Sequence, residues 1–242
     1  MTLTDPTALK RAAAVRALDF VENGMKLGLG TGTTAEAFVD VLAPRIRGGL
    51  TVTCVATSER TAEKARALAI PLADLDALAP LDLAVDGADE ADRDLNLIKG
   101  GGGALLREKI VAASAKRMVV VVDASKLSPR LGRYPLPVEV VAFGHVTTAA
   151  RIAACIERLG YSSIPLKLRL KDGAPFRTDS GNLIYDAAFG AIGDVAGLAG
   201  ALSGLPGVVE HGLFVGLAHT LVIAREDRVE VIERVVCGQA SP

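Results

Sequence analysis

The chain predicts an α/β protein: a parallel sheet wrapped by helices, joined to a smaller α+β unit. Three observations carry this. Up to about Lys126, apolar runs of strand length alternate with helical patterns, the signature of right-handed β-α-β crossovers and a sheet covered on both faces. After Lys126 the pattern breaks at LSPRLGRYPLPVEVVAF, a segment with three prolines that reads as a crossover into a new strand. Beyond it, a strand-helix-strand-strand-helix order suits a small α+β unit.

Taken in order, residues 8–22 read as a helix that Gly24 stops. A short strand at 26–30 leads into TGTT and a helix from about Ala35 to Ile46. TVTCVA (51–56) is the next strand and Glu59 to Ala69 the next helix. LDLAVD (81–86) is a buried strand, 103–116 a helix, and MVVVVD (118–123) the clearest strand of the chain. In the second unit, 147–159 reads as a helix, IPLKLRL (164–170) as a half-exposed strand, and KDGAPF as a turn. NLIYDA (182–187) is another strand and 194–203 a helix. From Gly207 the short strand-like runs GLFVGLA, TLVIARE and VEVIERV return. The expected division is therefore 1–132 with 207–242 in the larger unit and 133–206 in the smaller.

Composition removes several function classes. A chain of 242 residues is long enough to bury roughly 70–75% of its unfolded surface. Its net charge of −1, with 4% aromatics and no Trp, offers neither a basic footprint nor stacking platforms, so no nucleic-acid partner is expected. No apolar run approaches the roughly 18 residues of a membrane span, and the N-terminal MTLTDPTALKRAAAV lacks the layout of a signal peptide. A cytoplasmic protein without a membrane partner is expected. Cys54, Cys155 and Cys237 lie far apart, as do His145, His211 and His219. They read as buried free thiols and scattered imidazoles, with no metal site.

Three loops fall at the carboxyl ends of predicted parallel strands, where open α/β sheets hold their ligands. In GLGTGTTAEAF (28–38), glycines allow close backbone approach and Thr31, Thr33 and Thr34 supply hydroxyls. The following helix N-terminus favours a phosphate or carboxylate. A dinucleotide reading of Gly28, Gly30 and Gly32 fails, because the third fingerprint glycine is missing and Thr57 and Ser58, not an acid, close the second strand. A glycine turn with a Thr cap remains the plain alternative. In TSERT (57–61), Thr57 or Ser58 reads as a helix cap.

The third loop is the most informative. Within 86–109 it gathers Asp86, Asp89, Glu90, Lys99, the four glycines Gly100 to Gly103, and Glu108. Four ordered glycines are entropically costly, and their useful property is a run of unhindered N–H donors. Glu108 sits about one and a half turns into the helix, where it is either a general base or a solvated charge between Arg107 and Lys109.

At GLGTGTTA, VDGADEAD, IKGGGGALLREKIVA, VVDASK, PLPVEV, TDSGN and PGVVEHGLF, the chain resembles the type A ribose-5-phosphate isomerase family. The motifs keep the family's order from near residue 24 to 215. The resemblance implies a Rossmann-like parallel-sheet domain with a smaller, ferredoxin-like α+β domain. It also implies an aldose–ketose isomerase of the pentose phosphate pathway acting on ribose 5-phosphate and ribulose 5-phosphate through an enediolate, without metal or organic cofactor. The glutamate of REK, here Glu108, would carry the proton between C2 and C1. Lys99 and the N–H groups of Gly100, Gly101 and Gly102 would meet the oxyanion, and Asp86 and Asp89, with Gly87 and Ala88 between them, the sugar hydroxyls. Thr31, Gly32, Thr33, Thr34 and Lys126 would bind substrate toward its phosphate, with Lys10 a weaker candidate. Family members are dimers or tetramers, so a homo-oligomer is expected.

Departures from the family pattern are small. Thr33 replaces the usual Ser and keeps the hydroxyl, while Leu106 stands where many members have Thr. EHGLF replaces ENGLF, and TDSGN replaces TDNGN. Two competitors use similar scaffolds: an amino-sugar-phosphate deaminase, which would want a well-placed His, and a CoA transferase, whose nucleophilic Glu has a different glycine context. A non-catalytic sugar-phosphate sensor would need a DNA-binding module and would not need Glu108 or Lys99.

Overall fold

In the computed structural model, which describes residues 5–234, the first helix α1 (Pro6–Ala17) starts behind Asp5. The Asp5 carboxylate accepts from the N–H groups of Thr7 and Ala8, and Pro6 occupies the first helical position, where its missing N–H costs nothing. A 3₁₀ turn (Leu18–Phe20) ends it before Glu22, because Val21 is already extended. The chain then lays down β1 (Lys26–Leu29), α2 (Thr33–Arg47), β2 (Thr53–Ala56), α3 (Glu59–Ala67), the one-turn α4 (Leu75–Leu78) and β3 (Leu81–Gly87). Two minimal strands, β4 (Glu90–Ala91) and β5 (Leu97–Ile98), precede α5 (Leu105–Ala113) and β6 (Ala115–Asp123). The helix expected over 103–116 is shorter at both ends. Gly103 has a φ of +83°, outside the helical region, and Ser114 turns its hydroxyl onto the Ile110 carbonyl, so Lys116 already belongs to β6.

The second unit runs β7 (Leu136–Val140), α6 (His145–Arg158), β8 (Leu166–Leu168), the hairpin β9 (Leu170–Lys171) and β10 (Ala174–Pro175), β11 (Leu183–Ala187), α7 (Val195–Ser203) and β12 (Val208–His211). Then β13 (Leu213–Phe214), β14 (Thr220–Ala224) and β15 (Val229–Glu233) return toward the first.

Six strands form the larger sheet in the order β2-β1-β3-β6-β14-β15, parallel except for the β14–β15 hairpin. Alternation along β6 shows why both faces must be covered. Val119 and Val121 pack with Phe38, Leu42 and the alanines of α1, while Met118, Val120 and Val122 pack with Val111 and Phe214 on the opposite face. The second sheet is antiparallel, in the order β12-β7-β11-β8, with Ile152 and Ile156 of α6 and Leu198 and Leu202 of α7 in its core. Numbered within the unit this is 4-1-3-2 with helices after the first and third strands, the ferredoxin-like arrangement. Its fourth strand is β12, from a segment that the sequence pattern assigns to the larger unit. Val208 and His211 pair with Val140 and Val138 of β7, so the chain leaves the smaller sheet only after His211.

A three-stranded ribbon, β13-β5-β4, ties the two units together, with Ile98 paired to both Leu213 and Glu90. Sequence patterning reads 88–99 as loop. Two-residue strands carry no periodicity, and the turn between them is organised by Asp92, whose carboxylate accepts from the N–H groups of Asp94 and Asn96. Cys54 and Cys155 are buried free thiols, with burial pushing Cys54 up to about 12. Cys237 lies outside the described residues.

Candidate active site

The chain passes from β1 to β2 on one side and places β3 on the other, so the crevice between the carboxyl ends of β1 and β3 is the topological switch point of the sheet. The two loops touch there. Gly30 N–H donates to the Val85 carbonyl (2.9 Å), and Thr31 N–H to Oδ1 of Asp86 (3.2 Å). A Cβ on Gly30 would lie 2.1 Å from Asp86 Oδ1 and 2.6 Å from Asp86 Cα. The close approach foreseen for this glycine is thus made to Asp86. Gly87 N–H completes the cradle of Oδ1 at 2.7 Å.

Lys99 enters from the end of β5, its own N–H held by the Gly212 carbonyl (2.9 Å). Its ammonium makes three contacts: Gly87 O at 2.6 Å, Asp86 Oδ2 at 3.0 Å and Glu108 Oε1 at 3.3 Å. Lys99, Asp86 and Glu108 are only 2%, 3% and 4% exposed. Glu108 is therefore no solvated helix-face charge. Phe214 packs against the cluster, with the Lys99 ammonium 5.6 Å and that of Lys109 5.0 Å from its ring centre.

One cation faces two buried carboxylates at contact distance and the field of Asp89 as well. Burial alone would lower the Lys99 pKa, but the three acids together raise it above the usual lysine range. Burial pushes Asp86 up, yet Lys99 and the Gly87 and Thr31 N–H groups oppose that. Glu108 has Lys99 but no backbone donor: its Oε2 is buried without a hydrogen-bond partner among the described residues. Burial, reinforced by Asp86 and Asp89 against the pull of Lys99, raises it to about 8. Burial thus holds both carboxyls of the cluster above the usual carboxylate range, Glu108 at about 8.

The four glycines make a turn rather than a closed ring. Gly103 N–H donates back to Gly100 O at 3.0 Å, and Gly101 N–H is spent on Asp89 Oδ2 at 2.7 Å. Gly100 and Gly102 N–H have no acceptor among the described residues. The carbonyls of Gly100 and Gly101 both accept from Nη1 of Arg169, at 2.8 and 3.2 Å. Glu90, fully buried and given no role by its position in DGADEAD, accepts from Gly132 and Tyr134 N–H and so anchors the loop that brings Tyr134 over Gly101.

α2 begins at Thr33 behind Gly32, whose φ of +97° suits glycine, with no side chain capping the helix. The first-turn N–H groups thus face the same cleft as Thr34, Lys126 and Gly100. Lys126 arrives on a 3₁₀ turn (Ala124–Lys126) capped by Asp123. Lys10 of α1 donates to the Thr33 hydroxyl at 2.9 Å. The Thr31 hydroxyl turns away into a cluster with Thr57, Ser58 and Thr61, so the side chain braces the loop. Ser58 caps α3 through Thr61 N–H, and Asp179 of TDSGN accepts from Glu59 N–H.

The cleft is lined by Thr31, Gly32, Thr33, Thr34, Gly87, Ala88, Asp89, Lys99, Gly100, Glu108 and Lys126. Asp86, Gly101 and Gly102 are not part of that lining. Sequence reasoning passes over Arg169 and Tyr134, and gives no role to Glu90 of DGADEAD or Phe214 of EHGLF. Arg169 and Tyr134 carry no local pattern that points to the site.

The chain matches the family model of ribose 5-phosphate isomerase A (phosphoriboisomerase A) over residues 53–228. It is 54% identical to the ribose-5-phosphate isomerase A of Nitrobacter hamburgensis, over 94% of this chain and 98% of that protein. With that of Brucella suis biovar 1 it shares 53% identity, over 93% and 97%. Among solved structures, the ribose 5-phosphate isomerase of Plasmodium falciparum superposes with a TM-score of 0.90 at 34% identity, covering 95% of this chain and all of that one. A D-ribose-5-phosphate isomerase in complex with phospho-erythronic acid gives a TM-score of 0.87 at 37% identity, covering 96% and 100%.

Proposed function

The chain belongs to the ribose 5-phosphate isomerase A family of aldose–ketose isomerases, and on that premise we propose that its cleft interconverts ribose 5-phosphate and ribulose 5-phosphate through an enediolate. The observation that carries the mechanism is Glu108: a buried carboxyl with one unpartnered oxygen, raised to about 8, in a cleft beside a buried lysine. A base of that strength takes the proton from C2 and, as an acid of matching strength, returns it to C1.

Lys99 supports both halves of the reaction. Its three donors are committed in the free protein, and the contact to Glu108 is the longest of them. Once Glu108 holds the substrate proton it loses its charge and its grip on Lys99, and the freed N–H meets the enediolate oxygen. The free N–H groups of Gly100 and Gly102 add neutral donors, Asp89 in the cleft lining holds the sugar hydroxyls and passes a proton between O1 and O2, and Asp86, tied to Thr31, Gly87 and Lys99, holds the lysine in place. The phosphate sits at the open N-terminus of α2, with Thr33, Thr34 and Lys126 around it and Lys10 reaching it through Thr33. Cytoplasmic location and self-association as a dimer or tetramer belong to the same reading. Among the described residues no helix is long and apolar enough to cross a membrane.

The test is conversion of ribose 5-phosphate to ribulose 5-phosphate without added metal, followed by ketose absorbance. Turnover is expected in the wild-type protein, and Glu108→Gln should lower kcat by roughly 10²–10⁴-fold. Sugar phosphate binding without turnover in the wild type would identify a sensor instead.

A further inference from the structure

We infer that Arg169, delivered by the smaller domain, is a positioning residue that aims the backbone donors of the glycine turn at the reacting oxygens. This inference rests on the isomerase reading of the cleft.

Arg169 follows β8, and its guanidinium is gripped by Asp186 of β11 through Nε (2.9 Å) and Nη2, two parallel hydrogen bonds across neighbouring strands. The pair is largely buried, with side-chain exposures of 15% and 26%. Its remaining nitrogen, Nη1, reaches across to the other domain and donates to both Gly100 O and Gly101 O. Phe176, whose ring centre lies 6.0 Å from the guanidinium, closes over Gly103, where a Cβ would meet its ring at 2.4 Å.

Peptide planarity turns this grip into an aiming device. In a trans peptide the carbonyl of one residue and the N–H of the next point in opposite directions. Fixing Gly100 O fixes Gly101 N–H, and that N–H runs away from Arg169 onto Asp89 Oδ2 at 2.7 Å. Fixing Gly101 O fixes Gly102 N–H in the same way. Two successive carbonyls on one guanidinium therefore put two successive N–H groups on the opposite side, the side of Asp89. One is spent on that carboxylate and the other is free for an anionic oxygen. A glycine run has the least intrinsic preference for any orientation, so to the local Gly103–Gly100 turn bond the fold adds a grip from a side chain some 70 residues further along the chain.

A lysine in this position could not fork onto two carbonyls while holding Asp186, being a single point charge. Removing the guanidinium leaves the donors present but misaimed. The consequence falls on the enediolate, where charge develops on the oxygens, and not on phosphate binding at α2.

The experiment compares the wild type with Arg169→Ala, Arg169→Lys and Asp186→Asn in the full chain. The readouts are kcat and KM for ribose 5-phosphate, inhibition by phospho-erythronic acid and thermal melting. The planar carboxylate of that acid imitates the enediolate. For Arg169→Ala the expected result is a kcat lowered by about 10- to 100-fold, less than full loss of an oxyanion donor, with KM within about threefold. Affinity for phospho-erythronic acid should fall in step with kcat. Arg169→Lys should recover only part of the loss, and Asp186→Asn should show a smaller fall of the same kind at a melting temperature close to wild type. Unchanged kcat in Arg169→Ala overturns the inference, as does a KM effect with kcat and inhibitor affinity intact. If Arg169→Ala is lost to unfolding, a folded Asp186→Asn with wild-type kcat overturns it equally. Absence of turnover in the wild type would bring down the isomerase reading and this inference with it.

Discussion

Replacing Glu108 by glutamine should stabilise the protein, and by more the higher the pH. Glu108 is 4% exposed, and its carboxyl is raised from 4.5 to about 8. Between those values the folded chain keeps a proton that the unfolded chain has released, so rising pH favours unfolding. The stability associated with this group is fully present below the unfolded value and drains away until the folded group ionises near 8. At about 1.4 kcal/mol per pH unit, the wild type should lose about 4 kcal/mol from this one group between pH 5 and pH 9. Glutamine keeps the shape and carries no proton to lose. Lys99, held above its usual range, stays protonated in both states over this interval and contributes equally to both proteins. Urea unfolding of both at pH 5, 7 and 9 measures the gap directly. A gap that widens by several kcal/mol supports the reasoning. A gap constant to within about 1 kcal/mol would mean that Glu108 titrates at its ordinary value in the fold, and the account of its basicity would fail.

Three further outcomes follow from the same geometry. With Glu108 at about 8 in the free protein, kcat/KM should rise about tenfold from pH 7 to pH 9 and flatten there; a profile level across that range counts against Glu108 as the base. Lys126→Ala should raise KM more than it lowers kcat, because phosphate binding is nearly uniform between ground and transition states; a selective kcat loss in steady-state kinetics would move Lys126 into the chemistry. Gly30→Ala forces a methyl to within 2.1 Å of the Asp86 carboxylate, and should cost about 3 kcal/mol or more in a thermal melt. A loss under about 1 kcal/mol would show that the two loops are not locked together as described.

Legibility differed between the fold and the site. The parallel strands could be read because burial on both faces makes them continuous apolar runs, as in Met118–Val122, and because their helices are long enough to show a period. The 88–99 ribbon could not, since two-residue strands have no period and are defined by partners near residue 213. β12 was misassigned for a related reason: a strand of four residues, VVEH, does not say which sheet it joins. Within the site, Asp86, Lys99 and Glu108 are close in sequence and announce themselves through an unusual local composition. What composition could not convey is burial. It left Glu108 between base and solvated charge, and gave Gly30 a ligand to approach where the structure gives it Asp86. Arg169 and Asp186 were invisible because an ion pair in a half-exposed sheet has no distinguishing spacing.

The ribbon has a consequence for when the protein becomes competent. Lys99 is seated by the carbonyl of Gly212, and Ile98 by Leu213. As the chain is made from its N-terminus, β1, β2, β3 and β6 all emerge long before those residues do, and contacts of such wide separation form late. A growing chain therefore holds every acid of the cluster well before it can hold the lysine that balances them. The reactive arrangement thus waits on residues 212–213, which follow every strand of the smaller sheet.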